Sequence, residues 1–365
     1  MNNSQQLYEI ALSKIKGIGI KHAKYILAKT NLFSFFKDPI YITHKKTGLS
    51  FSFLQKINFK LALEEAEKEL EILTQKKISY LFFNDAKYPY RLKECDDCPI
   101  VLYHYGKSEI NPSKIVSIVG SRKASVEGKA ITRELIYELA KLNVTVVSGL
   151  AYGIDIAAHQ ACLENKTPTF AVMGHGFDHV YPYAHKKTLN QIADLGKVFS
   201  EHPPNIAPQK FFFPKRNRII AGLSDATIVV ESTIKGGSII TAKLANEYNR
   251  DVFAFPGNVT SSSFSGCNKL IQNNQAHLLT NGADLLNFLG WEKEKKNKSS
   301  FFKKKEKLND NEISIYNVFK EKRSACIREV YMNTKLSVPS IQSGLMNLEL
   351  MNLIESVPGQ RYLLK

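Results

Sequence analysis

The chain has 365 residues, 44% of them apolar, enough to bury the cores of two or three domains. Fifty Lys and Arg stand against 34 Asp and Glu, and the formal net charge of +16 repels cationic partners and favours polyanions such as nucleic acid. No stretch reaches the roughly 20 uninterrupted apolar residues of a membrane helix, the amino terminus has no apolar run of leader length, and five scattered cysteines make no disulfide framework, so the expectation is a cytoplasmic protein with no membrane partner.

From Leu7 to about Leu73 apolar residues recur every three or four positions, as in Leu12, Ile15 and Ile18 and then Ala23, Ile26 and Leu27. This spacing predicts a small helical domain over residues 1–75. Gly17-Ile18-Gly19 lies between the two faces. A helix-hairpin-helix or SAM-like unit would present the amides of such a turn to a DNA phosphate, making Gly17 and Gly19 a secondary DNA contact. A plain helix–helix turn fits the same residues.

Over residues 76–290 the pattern changes to short Val- and Ile-rich runs alternating with amphipathic stretches of helical length. Cys95 and Cys98 form the chain's one C-x-x-C pair. A zinc site needs two further ligands, and no second cysteine pair or finger-spaced His pair accompanies them, so they read as loop cysteines and no metal is expected. Strands are predicted at Ile115 to Val119, Val144 to Val147, Thr169 to Val172, Ala226 to Val230 and Val252 to Phe255. They lack strict alternation, as strands covered on both faces do. Helices are predicted at about Gly128 to Leu142, with Ile131, Leu135, Leu139 and Leu142 inward, and at Ser238 to Asn249, with Ile240, Leu244 and Tyr248 inward. The fold class is α/β: an extended, Rossmann-like, mostly parallel sheet flanked by helices.

Residues 291–307 carry eight Lys and three Glu with little apolar content, which predicts a basic linker. Over 308–365 three short helical patterns follow, around Ile315, Val318 and Phe319, around Ile327, Val330 and Tyr331, and around Ile341, Leu345 and Leu348. A Pro358-Gly359 turn then joins two short apolar runs, and the whole resembles a winged-helix domain. No Lys or Arg occurs from Leu336 to Gln360, so its third helix suits protein contact better than a DNA groove.

Three glycine-bearing polar turns each follow a predicted strand and precede a predicted helix, the position where ligands collect in a parallel sheet. Gly120-Ser121-Arg122 supplies a close backbone approach, a hydroxyl and a guanidinium able to grip phosphate in two places. Ser148-Gly149 leads into the next helix, and Gly236-Gly237-Ser238 into a later one, each with free amides for an anion. Between them Phe211-Phe212-Phe213-Pro214-Lys215-Arg216-Asn217-Arg218 sets three cations and an amide directly after three aromatics, a pairing that suits a single strand. Core aromatics followed by ordinary surface charges fit the same segment. Asp155 and His159, four apart on a helix, and His175 and His179 imitate catalytic and metal-ligand spacings, and are read as structural.

The blocks GSR, SGLAYGIDIAAH, FFFPKRNRIIAGLS and GGSIITA, in this order, resemble the signature of the DprA (Smf) family. Val172 to Asp178 with Tyr181-Pro182, and Phe255-Pro256-Gly257-Asn258, support the likeness, which spans nearly the whole chain. The resemblance implies a homodimer that binds and protects single-stranded DNA and loads the RecA recombinase on it, as in natural transformation, without catalysis and without a cofactor. Carried over by motif, the DNA contacts are Gly120, Ser121 and Arg122, then Lys215, Arg216, Asn217 and Arg218 beside Phe213, with Ser148, Gly149, Gly236, Gly237 and Ser238 along the groove. The chain departs from the family at Cys95-Asp96-Asp97-Cys98-Pro99 and at His175. The competing reading is a nucleotide phosphoribohydrolase with P-G-G-x-G-T-x-x-E, but aligned on Gly236 and Gly237 its glutamate falls on Lys243. Neither G-x-G-x-x-G nor G-x-x-x-x-G-K-[ST] opens the sheet, and a scaffold role is the third reading.

Overall fold

The computed structural model describes residues 3–291 and 308–365, except 358 and 360. The predicted basic linker beyond Trp291, and Pro358 of the predicted terminal turn, lie outside the described residues. Residues up to Leu285 form one compact unit and Leu286–Lys365 a second.

The chain begins with six helices, α1 (Asn3–Lys14), α2 (Ile20–Lys29), α3 (Leu32–Lys37), α4 (Ile40–Thr47), α5 (Phe51–Gln55) and α6 (Phe59–Lys76). They start where short polar side chains can serve orphan amides: Asn31 accepts from Ser34 N at 2.8 Å and Asn58 from Leu61 N at 3.0 Å. Their apolar faces close over Leu12, Ala23, Ile26, Phe35 and Leu54, all buried. Buried Glu69 of α6 accepts from Lys14 and from Tyr103, and Glu9 accepts from Tyr80 at 2.9 Å, so polar bonds tie these helices to the sheet.

The sheet opens with β1 (Ser79–Phe82), the short α7 (Tyr90–Lys93) and β2 (Val101–Tyr105). Then follow β3 (Ile115–Val119), α8 (Val126–Ala140), β4 (Thr145–Ser148), α9 (Ile154–Glu164), β5 (Thr169–Met173), α10 (Lys186–Leu195) and β6 (Lys197–Ser200). The sheet finishes with α11 (Phe212–Leu223), β7 (Ala226–Val229), α12 (Gly237–Glu247), β8 (Asp251–Ala254), α13 (Ser265–Gln272), β9 (His277–Leu278) and α14 (Gly282–Phe288). Its nine strands lie in the order β1-β2-β6-β5-β4-β3-β7-β8-β9. The pairs from β6 to β9 are parallel, while β1 and β2 form an antiparallel end.

Helix α9 packs against α8 on one side and α10 on the other, and α11 packs against α12 and under β3, β4 and β5. The right-handed crossover rule puts these two groups on opposite faces. The fold is therefore the expected α/β architecture with a mostly parallel sheet. One inward face differs from the sequence expectation: α12 buries Ser238, Thr241, Ala242 and Ala245, while Ile240 is 43% exposed. Small side chains let α12 approach α11 and β7 closely, and an apolar stripe cannot reveal a face made of small residues.

The second unit holds α15 (Asp310–Lys322), β10 (Ser324–Cys326), α16 (Ile327–Thr334), α17 (Val338–Leu350), β11 (Ile354–Val357) and β12 (Arg361–Leu364). Asn309 and Glu312 form a reciprocal cap on α15, both bonds at 2.9 Å. The strands pair antiparallel in the order β10-β12-β11 around a core of Ile315, Phe319, Val330, Ile341, Leu345 and Leu348. The three helices and the terminal hairpin match the sequence pattern. The short strand β10 has no counterpart in it. Among the described residues no helix is long and apolar enough to cross a membrane.

Candidate nucleic-acid interface

From β3 the chain moves strand by strand to β6, then returns through α11 to β7 on the other side of β3. Such a reversal opens a crevice at the carboxyl ends of the strands beside it. The three glycine turns follow β4, β3 and β7, which are adjacent, and they surround a cleft of about 550 Å³. Arg122, Lys123, Asp155, Asn217, Gly237 and Thr233 are among the residues on its wall.

The turn after β4 is held from several directions. Asp155 accepts from the amides of Gly149 at 3.2 Å and Ala151 at 3.4 Å, and the Gly149 carbonyl accepts from Arg216 at 2.6 Å. His185 Nδ1 lies 2.8 Å from the carbonyl oxygen of Leu150, whose φ of 58° is unusual for a side-chain-bearing residue and costs about 1 to 2 kcal/mol. A Cβ on Gly149 would stand 2.6 Å from the Arg216 guanidinium, so a larger residue there has to displace that buried side chain. Burial raises the Asp155 carboxyl above its usual range, and the nearby Arg216 charge pulls it back.

Arg216 is thus not the free phosphate grip expected of it. It is 4% exposed, donates also to the Val172 carbonyl, and burial lowers its pKa to about 10, leaving it charged at neutral pH. Arg218 turns the other way, pairing with Glu201 and donating to the Asp97 carbonyl. Both corrections have one cause: the segment is the start of α11, where successive side chains fan out by about 100°. Lys215 remains exposed, its ammonium 5.6 Å from the Phe211 ring centre, and Asn217 donates to the Gly237 carbonyl at 3.4 Å.

Arg122 is exposed, stands 5.7 Å from the centre of the Phe213 ring, and has no carboxylate within ion-pair distance among the described residues. Phe213 meets Tyr181 at 5.5 Å, and Tyr152 meets His185 at 4.9 Å, with Tyr152 and Tyr181 each 50% exposed. Arg122, Tyr152, Tyr181 and Phe213 line a shallow hollow beside the main cleft. The two tyrosines were within reach of the sequence, inside the signature motifs, but nothing in one sequence says which ring stays in water.

The remaining expected contacts divide. Ser148 is fully buried and gives its hydroxyl to the Ile118 carbonyl at 2.7 Å, so it does not line the groove. Ser121 accepts from Lys123 N at 3.1 Å, and its own amide donates to Glu231 O at 2.7 Å. Ser238 bonds Ser232 at 2.7 Å, and the amide end of α12 opens at Gly237, where a Cβ would meet nothing within 4 Å. Gly120 and Gly236 lie on the cleft wall and are also tightly packed: a Cβ would stand 2.5 Å from Ile154 and 2.3 Å from Ser232. Gly17, with φ +88°, and Gly19 lie in the α1–α2 turn, and Gly19 lines a different cleft of about 730 Å³ together with Arg218, Asp97 and Glu201.

Asp155 and His159 do not bond to each other. The His159 ring meets Thr169 at 2.8 Å, and burial pushes it down to about 3. His175 Nδ1 lies 2.9 Å from the Gly176 carbonyl oxygen and His179 Nε2 3.4 Å from that of Asn205. Cys95 and Cys98 are buried, and burial pushes the Cys95 thiol up to about 12.

Residues 79–290 match the family model described as DNA recombination-mediator protein A. Protein Smf of Synechocystis sp. is 32% identical over 99% of both chains, and DNA processing protein DprA of Streptococcus pneumoniae is 42% identical over 58% of this chain and 74% of its own. The X-ray structure of the Streptococcus pneumoniae DNA processing protein A superposes with a TM-score of 0.66 at 33% identity, covering 78% of this chain and 96% of that one. DNA processing protein A of Helicobacter pylori, whose structure concerns its single-stranded DNA binding mode, superposes at 0.53 with 31% identity, covering 58% of this chain and 95% of that one.

Proposed function

The chain belongs to the DNA recombination-mediator protein A family, and from that premise we propose that it binds single-stranded DNA in the cleft beside β3, without sequence preference and without cutting it. The observation that carries the reading is Arg122: an exposed guanidinium with no acidic partner among the described residues, backed by an aromatic ring, on a cleft at the strand reversal. Arg122, Lys123 and Lys215 grip successive phosphates, Asn217 and the amide end of α12 take a further one, and Tyr152, Tyr181 and Phe213 offer faces on which bases stack. Gly120, Gly236 and Arg216 form part of the cleft wall, Gly149 lines the adjoining hollow, and Ser148 supports the β4 turn from behind. Asp155, the acidic residue on the cleft wall, is buried and accepts from two amides in the field of Arg216, which favours holding a strand over hydrolysing one.

The family resemblance extends this reading to a homodimer built through the Rossmann-like domain, to loading of a RecA-type recombinase on the bound strand, and to a division into a helical domain at 1–75, a DNA-binding domain at 76–290, a linker at 291–307 and a winged-helix domain at 308–365. The test is anisotropy of labelled poly-dT and of a duplex across a salt series. Three phosphates neutralised by Arg122, Lys123 and Lys215 give a log–log slope of roughly −2 from the cleft on the single strand, with weaker duplex binding. A flat salt response, or equal affinity for both, would overturn the proposal.

A further inference from the structure

The amino-terminal helices carry a charge distribution that the cleft does not explain. From Lys14 to Lys60 the chain holds ten Lys and a single acidic residue, Asp38. Asp38 is taken by Lys46 at 2.8 Å, and Lys14 by Glu69. The compensating acids are segregated: Glu64, Glu65, Glu67, Glu69 and Glu71 all sit on α6.

The geometry gathers the free cations. Helix α2 buries Ile20, Ala23 and Ile26, which turns Lys21, Lys24, Tyr25 and Lys29 outward. The Tyr25 hydroxyl reaches within 3.3 Å of where a Cβ on Gly48 would stand, so the ring lies across the end of α4, beside the turn that carries His44 and Lys45. His44 in turn meets the Phe51 ring of α5 edge-on at 6.0 Å. Lys24, Lys29 and Lys45 are exposed with no carboxylate within ion-pair distance among the described residues, and Tyr25, Tyr41 and Phe51 are large rings left in water.

Exposed rings set among unpaired lysines are the chemistry of a phosphodiester strand with unstacked bases: ammonium groups follow the phosphates and rings receive base faces. A duplex keeps its bases stacked and has no use for the rings. We propose that α2, α4 and α5 form a second single-stranded-DNA surface, separate from the cleft beside β3, that engages strands longer than the cleft can hold. It rests on the single-strand reading of the protein.

The experiment uses the full chain with an oligomer of about 10 thymidines, near the span of one groove, another of about 40, and a duplex of the longer length. The combined variant Lys24→Glu, Lys29→Glu, Lys45→Glu is compared with wild type and Arg122→Ala. The surface predicts an affinity loss of about tenfold for the long strand and a salt slope shallower by about 2, since each lysine contributes roughly 0.7. Binding of the short strand stays unchanged. Equal long-strand affinity and slope in variant and wild type overturns the surface, and so does a loss confined to the duplex. Failure of wild type to bind the short strand overturns the cleft reading instead. If charge reversal lowers the melting temperature, the Lys→Gln triple variant is read by the same criteria.

Discussion

Helix α11 contributes to two clefts, and they handle positive charge in opposite ways. On the side of β3 and β7, Arg122 and Lys123 line the cleft and Lys215 stands exposed beside it, none with a carboxylate partner among the described residues. On the other side Arg218 is paired with Glu201, Lys14 with Glu69, and Lys21 stands 4.0 Å from Asp96. The first cleft has three cations to one acid on its wall, the second three to three. A paired cation has spent its Coulomb energy within the protein and offers little to a polyanion, whereas an unpaired one gains fully from a phosphate. Net charge therefore nominates a partner, and pairing decides where it binds.

The largest expected effect breaks the first cleft from behind. In Arg216→Ala the buried Asp155 loses the nearby positive charge that favours its ionised form, and the carbonyls of Gly149 and Val172 are left without their donor. We expect a stability loss of about 3 to 5 kcal/mol in thermal or urea unfolding, with DNA binding falling only because the β4 turn no longer keeps its shape. A variant as stable as wild type but defective in binding would make Arg216 a direct phosphate ligand after all.

How much of this was readable follows from which signals are local. A glycine-rich polar turn after a Val- and Ile-rich run is written in a few adjacent residues, so all three cleft turns were legible, as were the central strands β3, β5, β7 and β8. Which way Arg216, Asn217 and Arg218 point depends on α11 beginning at Phe212, and no cap marks that start, because Phe211 offers no side-chain acceptor to the helix. The antiparallel end formed by β1 and β2 carries no turn signal of its own, since β2 pairs with β6 across a long stretch of chain. The partners of Arg218 lie 17 and 121 residues away, beyond any local pattern.

The comparison sharpens at Arg122. Arg122→Ala removes a guanidinium that rests on the face of Phe213 and pairs with no described carboxylate, so unfolding should be unchanged while poly-dT affinity falls by about 1.5 to 3 kcal/mol, the value of charged hydrogen bonds to phosphate. The salt slope should become shallower by about 0.7 for each phosphate that is no longer neutralised. Unchanged affinity would mean that the strand lies elsewhere.

The smallest effect belongs to the paired cleft and has the reverse signature. Arg218→Gln strips the partner from Glu201, a largely buried carboxyl that burial already raises and that Arg218 pulls down. The half-buried pair is worth about 1 kcal/mol, to be read as a lower melting temperature, with poly-dT binding preserved. Without the guanidinium the Glu201 carboxyl rises further above its unfolded value. A carboxyl raised in the fold contributes stability that is present at low pH and lost as pH climbs through the folded value. The gap in melting temperature between variant and wild type should therefore be narrow near pH 5 and widest near pH 8. Adding Glu201→Gln removes the stranded charge and should close most of the gap at the higher pH. A DNA-binding defect in Arg218→Gln with stability intact would mean that the ion pair opens to admit the strand, and the distinction between the two clefts would fail.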